Sequence, residues 1–140
     1  MLEIKKALTI FCDGGARGNP GPGGIGVVVY RDGVLIDSIS KFVGKKVTNN
    51  QAEYLAVIES LRKAKELQAG SIKVLVDSQL AQRQLTGIYK VKNALLRELW
   101  QKVKDLETEF KEVKFEFVPR ESNKEADRLV NEVLDAKLGK

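Results

Sequence analysis

Four acidic side chains stand where the chain pattern changes: Asp13 closes an apolar run, Glu53 lies near the start of a long helical pattern, Asp77 closes a second apolar run, and Asp127 lies near the start of the last helical pattern. Each has an ordinary role when taken alone. Asp13 suits a turn, Glu53 a helix dipole, Asp77 a cap before Ser78, and Asp127 a solvated surface. Together they suggest other chemistry, because strand ends and helix starts of a layered α/β domain converge on one rim, where ligands bind. Clustered carboxylates repel one another unless cations join them. Oxygen donors without imidazole or thiolate suit Mg²⁺, with Mn²⁺ as a substitute. Two such ions about 3.5–4 Å apart form a clamp for phosphodiester hydrolysis, in which one acidifies the attacking water and the other stabilises the leaving oxygen.

The rest of the composition narrows the choice. Histidine is absent, which removes the usual general base and every nucleophilic triad that depends on imidazole. Cys12 is the one cysteine; inside an apolar run it reads as a small core residue in a reducing, cytoplasmic setting. The 24 basic against 19 acidic side chains give a net charge of +5, which favours anionic partners such as nucleic acid. A length of 140 residues fits one domain, 1–140, with an adequate apolar core. No apolar stretch of about 18 residues and no cleavage-site pattern point to a membrane.

The elements that must position the carboxylates follow from periodicity and punctuation. Residues 7–12 predict a buried strand stopped by a tight turn at Asp13-Gly14-Gly15. The glycines and prolines of 18–24 predict a loop of fixed shape. Residues 25–31 and 34–40 predict a hairpin across Asp32-Gly33, its second strand continuing to about residue 46. A helix is expected from Asn49 or Asn50, opened by a capping box of Thr48 and Gln51 and ended by Gly70. Then come a buried strand at 72–76, a helix at 78–86, and a longer helix at 93–110 with Leu96, Leu99, Trp100, Val103, Leu106 and Phe110 inward. A strand at 114–118 stops at Pro119, and Ser122 with Glu125 predicts a second capping box for the terminal helix. This order predicts a mixed sheet covered by helices.

The segment Asp13-Gly14-Gly15-Ala16-Arg17-Gly18-Asn19-Pro20-Gly21-Pro22-Gly23-Gly24 closely resembles the N-terminal signature of type 1 ribonucleases H. Thr48-Asn49-Asn50-Gln51-Ala52-Glu53-Tyr54 is similar to that family's first-helix motif, Val76-Asp77-Ser78-Gln79 to its fourth-strand motif, and Asn123-Lys124-Glu125-Ala126-Asp127 to its last-helix motif. The resemblance spans nearly the whole chain. It implies an α/β ribonuclease H-like fold: a five-stranded mixed sheet, three antiparallel strands then two parallel, flanked by helices. It implies an endonuclease that cuts the RNA strand of RNA–DNA hybrids with two Mg²⁺ ions, leaving 5′-phosphate and 3′-hydroxyl ends. Asp13, Glu53, Asp77 and Asp127 are then the metal-binding catalytic carboxylates. Backbone groups of Gly14, Gly15, Ala16 and Arg17, with Asn19, Asn49, Asn50 and Gln79, would read 2′-hydroxyls or minor-groove edges, and Thr48 would hold a phosphate of the DNA strand. An amide both donates and accepts, as a 2′-hydroxyl does, and so can separate RNA from DNA.

Two departures from the pattern stand out. The loop 119–122 is short and lacks the histidine many relatives carry there, which leaves Arg120 or Glu121 as a substitute; Arg120 is expected to contact phosphate or ease product release. The basic protrusion of some relatives is also missing between Gly87 and Asn93. Lys90, Lys92, Lys45 and Lys46 remain as phosphate contacts, so weaker hybrid affinity and a shallow salt dependence are expected. Two alternatives stay open at this stage: a related nuclease that also cuts double-stranded RNA, and a catalytically silent hybrid-binding module. A monomer without an obligate protein partner is the default.

Overall fold

The computed structural model describes residues 6–139. Its elements are β1 (Lys6–Ala16), β2 (Gly21–Arg31), β3 (Val34–Val47), α1 (Asn49–Glu66), β4 (Ala69–Val76), α2 (Gln79–Leu85), α3 (Ala94–Glu107), β5 (Glu112–Phe117), a 3-10 turn (Arg120–Ser122) and α4 (Lys124–Leu138). The five strands form one sheet in the order β3-β2-β1-β4-β5. β1, β2 and β3 pair antiparallel, while β4 runs parallel to β1 and β5 parallel to β4. The expected mixed sheet is therefore present.

The alternation of side chains along the central strands divides the interior in two. Leu8, Ile10 and Cys12 of β1 and Val27 and Val29 of β2 join a large core with Tyr54, Val57, Ile58 and Leu61 of α1 and Leu96 and Val103 of α3. Val28, with Phe11 and Tyr30 beside it, faces Ala126 and Leu129 of α4 on the other side. A period of two on the strands thus feeds helices on both faces. Trp100 packs against the larger core, and its indole N–H donates to the Gln84 carbonyl at 3.1 Å. Asp32 and Gly33, at φ 52° and 77°, make the positive-φ pair that a two-residue hairpin of type I′ requires. Among the described residues no helix is long and apolar enough to cross a membrane.

Several expected boundaries are corrected. β1 does not stop at Asp13-Gly14-Gly15 but pairs through Ala16, because Gly14, Gly15 and Ala16 lie in register with Ile25, Gly24 and Gly23 of β2. The glycine-rich segment 18–24 is not loop throughout: β2 begins at Gly21, with register shifts around Gly23 that absorb its irregularity. Gly70 does not end α1. The helix caps at Leu67, Gln68 takes the positive φ of 58°, and Gly70 lies inside β4. The Thr48–Gln51 capping box is present, whereas no such box opens α4: Asn123 holds the cap position without a side-chain capping bond, and Ser122 belongs to the 3-10 turn. α3 ends at Glu107, before Phe110.

Two glycines set how closely the helices approach the sheet. A Cβ on Gly14 would lie 2.1 Å from the Ala52 carbonyl oxygen of α1, and one on Gly26 would lie 2.1 Å from the Ala126 carbonyl oxygen of α4. Gly26 is the register partner of Asp13, so the start of α4 is seated directly beside that carboxylate. The neighbouring atoms are backbone and cannot rotate away. Gly26→Ala is therefore expected to cost about 1–3 kcal/mol through displacement of α4, measured as a lower urea midpoint at unchanged slope; an unchanged midpoint would show that this contact is not limiting.

Candidate active site

β1 delivers Asp13 and β4 ends immediately before Asp77, so the parallel pairing of these two central strands places both carboxylates at the same sheet edge. α1 adds Glu53 from above, through the close contact at Gly14, and α4 adds Asp127 from the opposite face. Asp13, Glu53 and Asp77 each offer a carboxylate oxygen, and these atoms all lie within 4.8 Å of one another. Asp127 stands outside that triad but lines the same cleft of about 380 Å³, together with Gly14, Gly15, Ala16, Arg17, Asn49, Asn50 and Arg120.

The electrostatics of this cluster are those of unneutralised negative charge. Burial, reinforced by the charges of Asp77 and Asp127, pushes the Asp13 carboxyl up to about 7. Burial and the charges of Asp13 and Asp77 raise Glu53 well above its ordinary value, while the nearby Arg120 guanidinium pulls in the opposite direction. Glu53 Oε2 is buried without any hydrogen-bond partner. A carboxylate oxygen in that position is costly unless something cationic meets it. The donor set is all oxygen, with no histidine in the chain and the Cys12 thiol pushed up by burial. The residues present therefore fit a hard divalent cation better than a soft or imidazole-bound metal.

The residues expected to read substrate fall into three groups. Gly14, Gly15, Ala16, Arg17, Asn49 and Asn50 line the carboxylate cleft. Asn19 and Thr48 line an adjoining cavity of about 400 Å³, which shares Asn49 and Asn50 with the first and also includes Asn93. Gln79, the first residue of α2, is exposed and lines neither cavity. The loop after β1 is fixed to the start of α1 by reciprocal asparagine contacts: Asn49 Oδ1 accepts from the Ala16 N–H at 2.9 Å, and Asn19 Oδ1 accepts from the Asn49 N–H at 3.0 Å. Both carbonyl oxygens are engaged, which leaves the NH₂ groups of these amides for a ligand.

The backbone N–H groups expected to face substrate are largely committed elsewhere. That of Gly14 donates to Asp13 Oδ1, that of Ala16 to Asn49, and that of Arg17 to the Pro22 carbonyl. The Arg17 side chain is tied to α4 by a 2.6 Å ion pair with Asp135 and a 3.3 Å bond to Asn131 Oδ1. Asn131 in turn donates to the Asp127 carbonyl at 3.1 Å and to Asp127 Oδ2 at 3.3 Å.

Sequence reasoning missed three polar residues that the fold brings here. Asn131 is one helical turn beyond Asp127, a spacing that places both on one face of α4. Asn93 caps α3, accepting from the Leu96 N–H, and reaches the adjoining cavity only through tertiary packing. Asn123 sits inside the last-helix motif but has no acidic or basic chemistry to draw attention.

A family model described as reverse transcriptase-like matches residues 11–133. A bifunctional protein of Mycobacterium tuberculosis is 42% identical over 130 residues, covering 92% of this chain and 36% of that protein. The chain thus spans about a third of that relative's length. Ribonuclease HI of Halobacterium salinarum is 40% identical over 126 residues, covering 89% of this chain and 63% of that protein. The solved ribonuclease H1 of Halobacterium salinarum superposes with a TM-score of 0.90 at 37% identity, covering 93% of this chain and 98% of that one. LC11 ribonuclease H1, solved in complex with an RNA/DNA hybrid, superposes with a TM-score of 0.89 at 39% identity, covering 94% and 99%. With the strand order, the carboxylate cluster and these near-complete correspondences in agreement, the chain belongs to the type 1 ribonuclease H family.

Proposed function

We propose that this protein is an endonuclease that hydrolyses the RNA strand of RNA–DNA hybrids, leaving 5′-phosphate and 3′-hydroxyl ends. The observation that carries the reading is the triad of Asp13, Glu53 and Asp77 on the floor of an open cleft, with Glu53 Oε2 buried and unpartnered. Asp13, Glu53, Asp77 and Asp127 would hold two Mg²⁺ ions, with Mn²⁺ as a substitute. Bound divalent cations supply the charge neutralisation and the acidified water that phosphodiester hydrolysis needs.

The chain's own residues select and orient the substrate. Asn49 and Asn50 at the cleft wall, with Asn19 and Gln79 flanking it, are suited to 2′-hydroxyls, which offer both a donor and an acceptor. Thr48 holds a phosphate of the DNA strand in the adjoining cavity, where Asn93 lies beside it. Arg120 lines the cleft, and its charge beside Glu53 suits it to phosphate contact during product departure. A monomer acting in the cytoplasm without an obligate protein partner completes the reading.

The test is cleavage of end-labelled RNA–DNA hybrid, duplex RNA and duplex DNA in Mg²⁺, Mn²⁺ or EDTA. The expected outcome is metal-dependent loss of the RNA strand of the hybrid and no cutting of duplex DNA. Equal rates on hybrid and duplex RNA would replace hybrid specificity with a broader 2′-hydroxyl nuclease, and binding of hybrid without cutting under either metal would move the function to a recognition module.

A further inference from the structure

Asn123 occupies the N-cap position of α4, where an asparagine side chain normally accepts a hydrogen bond from the first turn of the helix. Here it makes no capping bond. The side chain turns inward instead and is 1% exposed. Its NH₂ group donates to the Cys12 carbonyl at 2.9 Å and to Asp77 Oδ2 at 2.9 Å. Both acceptors are oxygens that cannot donate, so the amide orientation is forced: the nitrogen must face them. The amide oxygen is consequently left buried with no partner. A cap bond is given up and a polar atom stranded in favour of two donations, one to the residue before Asp13 and one to Asp77 itself. The backbone adds a third link, since the Asn123 carbonyl accepts from the Asp127 N–H at 3.1 Å.

We propose that Asn123 is a positioning residue for the metal site, which restrains the orientation of the Asp77 carboxylate through its hydrogen bond to Oδ2. The proposal rests on the metal-dependent reading above. A carboxylate held through one oxygen loses rotational freedom, and here it is tied to the β1 backbone that carries Asp13, because the same amide donates to the Cys12 carbonyl. One amide thereby couples the orientation of Asp77 to the position of Asp13 and, through the backbone, to the start of the helix bearing Asp127. Hydrogen-bonded partners that orient a ligating carboxylate are worth about 10–100-fold in metal affinity or activity when removed.

The experiment is calorimetric titration of Mn²⁺ into wild type, Asn123→Ala and Val103→Ala, with melting curves in EDTA for all three. Val103 is fully buried in the larger core on α3, the helix that packs against α1, and its truncation supplies a destabilised protein with an untouched cleft. Wild type that binds no Mn²⁺ would remove the metal reading itself. Given wild-type binding, Asn123→Ala is expected to weaken Mn²⁺ by about 10-fold or more and to lower kcat on hybrid with little change in KM, whereas Val103→Ala melts earlier but binds Mn²⁺ as wild type does. Wild-type Mn²⁺ affinity in Asn123→Ala, or an equal loss in Val103→Ala, would overturn the proposal. Asn123→Leu, close to asparagine in shape and without a donor, carries the same comparison should the alanine variant not fold.

Discussion

Replacing Asp13 with asparagine is expected to lower hybrid cleavage by at least about 10³-fold, since loss of metal-centred charge stabilisation of several kcal/mol translates at about tenfold per 1.4 kcal/mol. The same substitution is expected to make the metal-free protein more stable. Asp13 is buried beside Asp77 and Asp127, and a neutral amide of the same shape removes both the desolvation cost and the repulsion. Its side-chain oxygen can still accept from the Gly14 N–H, as the carboxylate does now. The gain should be roughly 1–3 kcal/mol in EDTA, read by urea unfolding. The opposite signs identify a group retained for function against its effect on folding. Full activity in the variant would place the chemistry elsewhere, and lost activity without a gain in stability would mean that the charge is already compensated within the protein.

The second large effect is a stability that depends on pH and metal together. Asp13 is raised from 3.8 to about 7, by burial first and by Asp77 and Asp127 next, and Glu53 is raised in the same direction. A carboxyl raised in the folded state binds its proton more tightly folded than unfolded. Its stabilising contribution is therefore complete below about pH 4 and is lost as pH rises through about 7. In EDTA the difference in stability between wild type and Asp13→Asn should accordingly widen, to the disadvantage of wild type, from pH 4 to pH 8. Mg²⁺ acts against that trend, because a cation requires the ionised carboxylates and competes with protons for them. The rise in melting temperature on adding Mg²⁺ should be small at pH 5.5 and large at pH 8.5. A Mg²⁺ effect independent of pH over that range would mean that Asp13 and Glu53 ionise as isolated carboxylates do.

Much of the architecture was legible because its signals are local. The hairpin at Asp32-Gly33 needs two positive-φ residues, and the sequence supplies a pair that tolerates them. The capping box at Thr48 and Gln51 closes within four residues. The end of β1 was not legible, because Gly14 and Gly15 carry a turn signal that is outweighed by pairing with Ile25 and Gly24; Gly14 serves close approach of α1 there rather than a reversal of the chain. Ser122 and Glu125 form no capping box at α4 because Ser122 belongs to the 3-10 turn, and Asn123 at the cap position turns its amide inward to donate to Cys12 and Asp77.

The sequence alone supplied four motifs in order, the absence of histidine and the four carboxylates on which the proposed site rests, all of them properties of the chain. It also determined the kind of cation they suit, since donor hardness depends on residue type and not on position. Tertiary structure decided the rest. Parallel pairing of β1 with β4 sets Asp13 beside Asp77, and backbone contacts at Gly14 and Gly26 set how near Glu53 and Asp127 come. The raised carboxyls, the stranded oxygen of Glu53 and the inward turn of Asn123 exist only once residues distant in the sequence share one buried volume. Charge repulsion and desolvation depend on distance in space, and sequence separation does not record it.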